Sequence, residues 1–131
     1  MALTNFPNGI TSFGVPVLGT VGGLPLTGTY FFVNPATGSD AYDGLSPQTP
    51  FSTLTAAYNA ATAGNNDVIV LIGDGSTTGT ARLTSTLTWA KNATHLIGVT
   101  APTMISQRAR ISHSTTATTN FKLMSITASG C

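Results

Sequence analysis

Apolar positions in this chain come in short runs separated by turn residues, and only one stretch repeats with a helical period. Thr29-Tyr30-Phe31-Phe32-Val33 is a β-branched and aromatic run of strand length, closed by Asn34-Pro35-Ala36-Thr37-Gly38. It predicts the first strand of a folded body. After a turn-rich segment from Gly38 to Pro50, Leu54, Ala57, Tyr58 and Ala61 fall at i, i+3, i+4 and i+7, the spacing of one helical face. Pro50 blocks backward extension, Ser52 or Thr53 supplies an N-cap, and Gly64-Asn65-Asn66 ends the element, so a helix is predicted over about 51–62. Asp67-Val68-Ile69-Val70-Leu71-Ile72-Gly73 is a continuous apolar run bounded by turn residues, the pattern of a strand buried on both faces. Further strands are predicted at Leu83 to Trp89, His95 to Val99, Ala109 to His113 and Phe121 to Thr127. Repeated strands without a second helix indicate an all-β fold, a β-solenoid or a β-sandwich, and no strict sequence period separates the two.

The first residues read differently. Asn5 to Gly19 mixes large apolar side chains with Gly and Pro at intervals too short for a helix, which predicts an extended arm over 1–28 ahead of a body over 29–131. Charge supports that boundary, because no Asp, Glu, Lys, Arg or His precedes Asp40. In water Phe6, Pro7, Ile10, Phe13, Val15, Pro16, Val17 and Leu18 would expose a long apolar strip, so they are expected to bind a partner. A disordered leader would be more polar and more charged.

Charged residues make up only 7% of the chain and the formal net charge is +1. No field is available to steer phosphates or lipid headgroups, so neither nucleic acid nor membrane is expected as a partner. Met1-Ala2-Leu3-Thr4-Asn5 lacks the basic n-region of a signal peptide, which gives an expectation of synthesis in a host cytoplasm. Cys131, the single cysteine, can form no internal disulfide. The strand pattern through Leu123 and Ile126 stops at Ser129-Gly130-Cys131 without a cap, and a longer parent polypeptide is the expectation.

Gly38-Ser39-Asp40-Ala41-Tyr42-Asp43-Gly44-Leu45-Ser46-Pro47-Gln48-Thr49-Pro50-Phe51-Ser52-Thr53-Leu54, followed by Asp67 and Val68-Ile69-Val70-Leu71, resembles the segment that leads into right-handed parallel β-helix proteins of the pectate-lyase-like type. In that family G-S-D-x-x-D-G-x-S-x-x-T-P-[FW]-x-T-[LI] precedes a short helix and the first solenoid strand. Asn5 to Pro16 resembles the N-termini of virion structural proteins of tailed bacteriophages, where such arms sit ahead of β-helical bodies. The two resemblances cover about half the chain and imply the first coils of a parallel β-helix, a short capping helix and a homotrimer. On this view Asp40 and Asp43 make Asx-type turns and Gly44 takes a positive φ. Pro47 and Pro50 stiffen the approach, and Leu54 and Tyr58 lie on the core-facing stripe of the cap.

Catalytic material is thin. Glycoside hydrolysis needs two facing carboxylates, and the four acids are Asp40, Asp43, Asp67 and Asp74, with no glutamate. Asp74 with Arg82, Arg108 or Arg110 is the one pairing a lyase could use, and a turn aspartate beside solvated arginines is the commoner arrangement. His95 and His113 lack partners at metal-ligand spacing, so no metal and no cofactor is expected. Asn92-Ala93-Thr94 matches a glycosylation acceptor, which matters only in a secretory pathway.

The expectation is therefore a non-enzymatic virion protein: a capsid decoration or head-fibre subunit whose arm docks on the major capsid protein or another virion protein. A tail-fibre or tailspike anchor is the structural alternative. A β-helix that binds or depolymerises a surface polysaccharide is the alternative from another class.

Overall fold

The computed structural model describes residues 28–74, 77–99, 109–116 and 119–131, and by backbone alone 11–12, 15–16, 20–21, 24–25 and 100. The arm residues Phe6, Pro7, Ile10, Phe13, Val17 and Leu18 lie outside the described residues, and Val15 and Pro16 are described by backbone alone.

Short apolar runs produce short strands. In the arm, β1 (Thr11–Ser12) pairs antiparallel with β2 (Val15–Pro16), and β3 (Thr20–Val21) with β4 (Leu24–Pro25). The expectation for this part was an extended arm over 1–28, and within it these four short strands pair antiparallel.

The body opens with β5 (Tyr30–Val33), whose alternation buries Phe31 and Val33. A single helix, α1 (Leu54–Ala60), follows, and then β6 (Asp67–Gly73), β7 (Thr80–Leu83), β8 (Leu87–Trp89), β9 (Thr94–Thr100), β10 (Arg110–His113) and β11 (Met124–Ile126). The described residues are thus mostly strand with one helix, an all-β chain. Among the described residues every strand pairing in the body is parallel. β6 lies between β5 and β9, β7 pairs with β10, and β8 with β11. From β6 onward each strand therefore meets the strand three places later, so the triplets β6-β7-β8 and β9-β10-β11 run side by side.

The predicted strand from Leu83 to Trp89 is divided. A bend at Thr84-Ser85 separates β7 from β8, which lets Leu83 and Leu87 both point inward from different sheets. The continuous run in β6 is buried from Asp67 to Leu71, residues of both faces included, as its pattern predicts. Ile69 and Leu71 belong to the core with Phe31, Val33, Phe51, Leu54, Ala57, Tyr58, Ala81, Leu83, Leu87 and Trp89.

Helix α1 is shorter than the predicted 51–62. Thr53 is its N-cap, with extended backbone and an Oγ1 that accepts from the Ala56 N–H at 3.1 Å. Its buried residues are Leu54, Ala57 and Tyr58, which pack towards β5, β6 and β7. The free edge of β5 is covered by the segment before the helix: Phe32 N–H donates to Gly44 O, Phe51 N–H to Phe32 O, and Asn34 N–H to Phe51 O. That pairing removes an exposed strand edge at this side of the body.

Candidate functional site

The lead-in segment from Gly38 to Thr53 holds Asp40, Asp43, Gly44, Pro47 and Pro50, singled out in the sequence, and its geometry follows from the two aspartates. Asp43 Oδ1 accepts from the Leu45 N–H at 3.2 Å, an Asx turn, and from the Thr49 hydroxyl at 2.8 Å. Asp40 departs from the expected Asx turn. Its Oδ1 accepts from the Ser52 N–H, the Ser52 hydroxyl and the Thr53 N–H at 2.8–2.9 Å, and its Oδ2 from the Thr53 hydroxyl at 2.7 Å. The carboxylate therefore clamps the start of the loop to the start of α1, because Ser52 and Thr53 offer four donors in one place. Between these anchors Gly44 has φ +69°, and a Cβ there would stand 2.2 Å from the Phe51 ring. Only glycine meets both conditions. Pro47 is exposed, Pro50 is buried and its carbonyl accepts from the Ser39 N–H at 3.0 Å.

These hydrogen bonds set the acid chemistry of the loop. Burial pushes the Asp40 carboxyl up, but the bonds from Thr53 and Ser52 outweigh it and hold it below the ordinary aspartate value. The Thr49 hydroxyl, then the Leu45 N–H, hold Asp43 low as well. A folded-state value below the unfolded one stabilises the protein above about pH 4, and that stabilisation is lost as pH falls through the folded value. Denaturation midpoints measured from about pH 5 down to about pH 2.5 are expected to fall, and to fall less steeply in Asp40→Asn. Identical slopes in the two proteins would contradict this assignment.

Tyr58 does more than pack. Its hydroxyl accepts from the Ala90 and Lys91 N–H groups at 2.7 and 3.0 Å, and its ring lies 4.8 Å from that of Trp89. Sequence reasoning missed Lys91, whose Nζ donates to the carbonyls of Tyr58, Asn59 and Ala61 at 2.6–3.0 Å and so closes the C-terminal end of α1. Nothing local in Ala90-Lys91-Asn92 marks that role, since the helix lies some thirty residues earlier. Asp67 was read as the start of a strand. It is 1% exposed, and it accepts from Thr29 N–H, Thr62 N–H and Asn65 Nδ2, each at 2.7 Å.

The groups considered for catalysis are placed as follows. A shallow cleft of about 600 Å³ lies beside the lead-in segment, walled by Ser52, Thr53, Thr80 and Thr115 with Arg82. It is a hydroxyl-rich surface, and no carboxylate lines it. Arg82 Nη1 donates to the His113 carbonyl at 3.2 Å, while Asp74 sits at the end of β6 against Gly79. Arg110 lies in β10 opposite Thr80, and Arg108 is outside the described residues. His113 Nε2 bonds to the Phe121 carbonyl at 2.8 Å. Asn92 Oδ1 accepts from the Ser129 N–H at 2.9 Å, so this side chain is engaged in the fold. Among the described residues no three His, Cys, Asp or Glu side chains gather as a metal site would require. Among the described residues no helix is long and apolar enough to cross a membrane.

No protein-family model, no curated protein and no solved structure matches this chain.

Proposed function

We propose that this chain is a non-enzymatic structural subunit of a virus particle, a capsid decoration or head-fibre protein that docks through its N-terminal arm. The observation that carries the reading is the contrast between the two parts of the chain. Asp40, Asp43 and Asp67 direct their carboxylates to backbone and hydroxyl donors of the fold itself, whereas the arm is rich in large apolar residues without a single charge. Its ladders of two residues are too short to hold themselves in water, which supports burial against a neighbouring surface. The resemblance to phage virion arms supports major capsid protein or another virion protein as that neighbour, and the virion as the location.

The body, on this proposal, is the start of a right-handed parallel β-helix. Pairing of each strand with the third one after it is what stacked coils produce, and α1 with the Gly44–Phe51 loop caps the first coil. The homotrimer has support from the sidedness of the sheets. Alternation in β5, β6 and β9 turns Phe32, Ile72, Ile97 and Val99 away from the core, together with His95 and the buried Val68 and Val70, a face without Asp, Glu, Lys or Arg, while β7 and β10 place Arg82, Arg110 and Ser112 with the buried Thr80 on theirs. Sedimentation at micromolar concentration is expected to give a trimer, and a stable monomer would contradict it.

The arm is tested in the full-length chain by replacing Phe6, Phe13, Val15 and Val17 with serine. The variant is expected to stay folded and to lose particle binding by at least about 100-fold, since four buried apolar side chains contribute roughly 1.5 kcal/mol or more each. Binding within a factor of three of the native chain would refute the role given to the arm.

A further inference from the structure

We propose that the open end of the body, formed by the free edges of β9, β10 and β11, is a docking site for one more strand triplet: a β-rich segment running parallel to these strands, with apolar residues facing inward. The inference rests on the stacked-coil reading above, and the structure carries its own comparison. Where one triplet covers another, inward side chains are sealed: Ile69 and Leu71 are 0% and 2% exposed, Leu87 and Trp89 7% and 2%. Their register partners in the second triplet are not. Leu96 and Met124 are only partly buried, and Ile126, opposite Trp89, is 63% exposed.

The same end is unfinished in its polar groups. Among the described residues β9, β10 and β11 each pair on one edge alone; on the opposite side β7 and β8 also pair on one edge, while the edge of β5 is bonded by Gly44 and Phe51. A cavity of about 260 Å³ lies there between Trp89, Thr94, Leu96, Met124, Ile126 and Cys131. Into it faces Thr94, fully buried, with an Oγ1 that has no hydrogen-bond partner. A strand edge with alternating apolar side chains selects its occupant by geometry: another strand, in parallel register, offering aliphatic side chains to Leu96, Met124 and Ile126 and a polar atom to Thr94. The two triplets already stacked are the example of that fit.

The test appends a second copy of residues 94–131, its own terminal cysteine replaced by serine, to the full chain, in a background where Ile126→Cys supplies the only thiol and Cys131→Ser removes the other. Thiol labelling at position 126 is expected to be fast in the unextended chain and at least tenfold slower in the extended one. A control extension with aspartate at the copy's three positions equivalent to Leu96, Ile111 and Met124 is expected to label fast. Equal rates with and without the native copy, slow labelling with the aspartate copy, or slow labelling in the unextended chain would each overturn the proposal. Amide protection in β9 separates this failure from failure of the stacked-coil reading: protected β9 amides with unslowed labelling reject the docking site alone.

Discussion

Asp67→Ala is expected to lower stability by about 3–5 kcal/mol, a large part of the roughly 5–15 kcal/mol available to a domain. The side chain is 1% exposed and gathers three donors from three places: Thr29 ahead of β5, Thr62 after α1, and Asn65 in the turn before β6. Hydrogen bonds to a carboxylate contribute about 1.5–3 kcal/mol each, and removing the acceptor strands donors that lie in partly buried positions. Asp67→Asn keeps the shape but presents an amide donor to groups that also donate, so it is expected to recover only part of the loss. Thermal unfolding followed by circular dichroism checks this, with a fall of roughly 10–20 °C expected for Asp67→Ala. A change under about 1 kcal/mol would show that the three segments are held by packing instead.

The second large effect is expected at Trp89→Ala, about 3–5 kcal/mol. Trp89 is 2% exposed, tilts at 38° against Tyr58 and donates from Nε1 to the Thr94 carbonyl at 3.2 Å. It joins the helix to both strand triplets, because β8 carries it and β11 pairs alongside. Trp89→Phe keeps most of the burial and loses the hydrogen bond, for an expected cost of about 1–2 kcal/mol. Denaturant midpoints of the three proteins give the comparison. An alanine variant as stable as the phenylalanine one would mean the indole fills no essential volume. Burial also removes this residue, the only tryptophan, as a stacking platform for a sugar.

Local features of the fold were legible because their causes are local. Pro50, Thr53 and the i, i+3, i+4, i+7 stripe mark α1, and the run from Val68 to Ile72 marks a strand buried on both faces. The ends of α1 were overestimated, since Phe51 is taken by a bridge to Val33 and Ala61 leaves the helical region. Pairing was not legible. Connections between successive strands differ in length, so residues in register, such as Asp67 with Thr94 and Leu87 with Met124, show no common period. Long-range polar contacts escaped for the same reason: Asp40 reaches Ser52 and Thr53, and Lys91 reaches back to the end of α1. In the lead-in segment the turn at Asp43 and Gly44 could be read from neighbouring residues, whereas the clamp made by Asp40 is visible only once the loop has closed. The arm was legible as apolar and uncharged, but its two reversals were not, because Gly and Pro permit a turn without dictating where one falls.

The central claim is that the arm's apolar residues find their burial in another protein of the particle. Image reconstruction of intact particles carrying this chain tests it most directly. The account predicts density for the body standing out from the capsid shell, with residues 4–26 sunk into capsid protein and Phe6, Phe13, Val15 and Val17 in contact with it. The same side chains packed inside the subunit's own body, or facing solvent on the assembled shell, would contradict it.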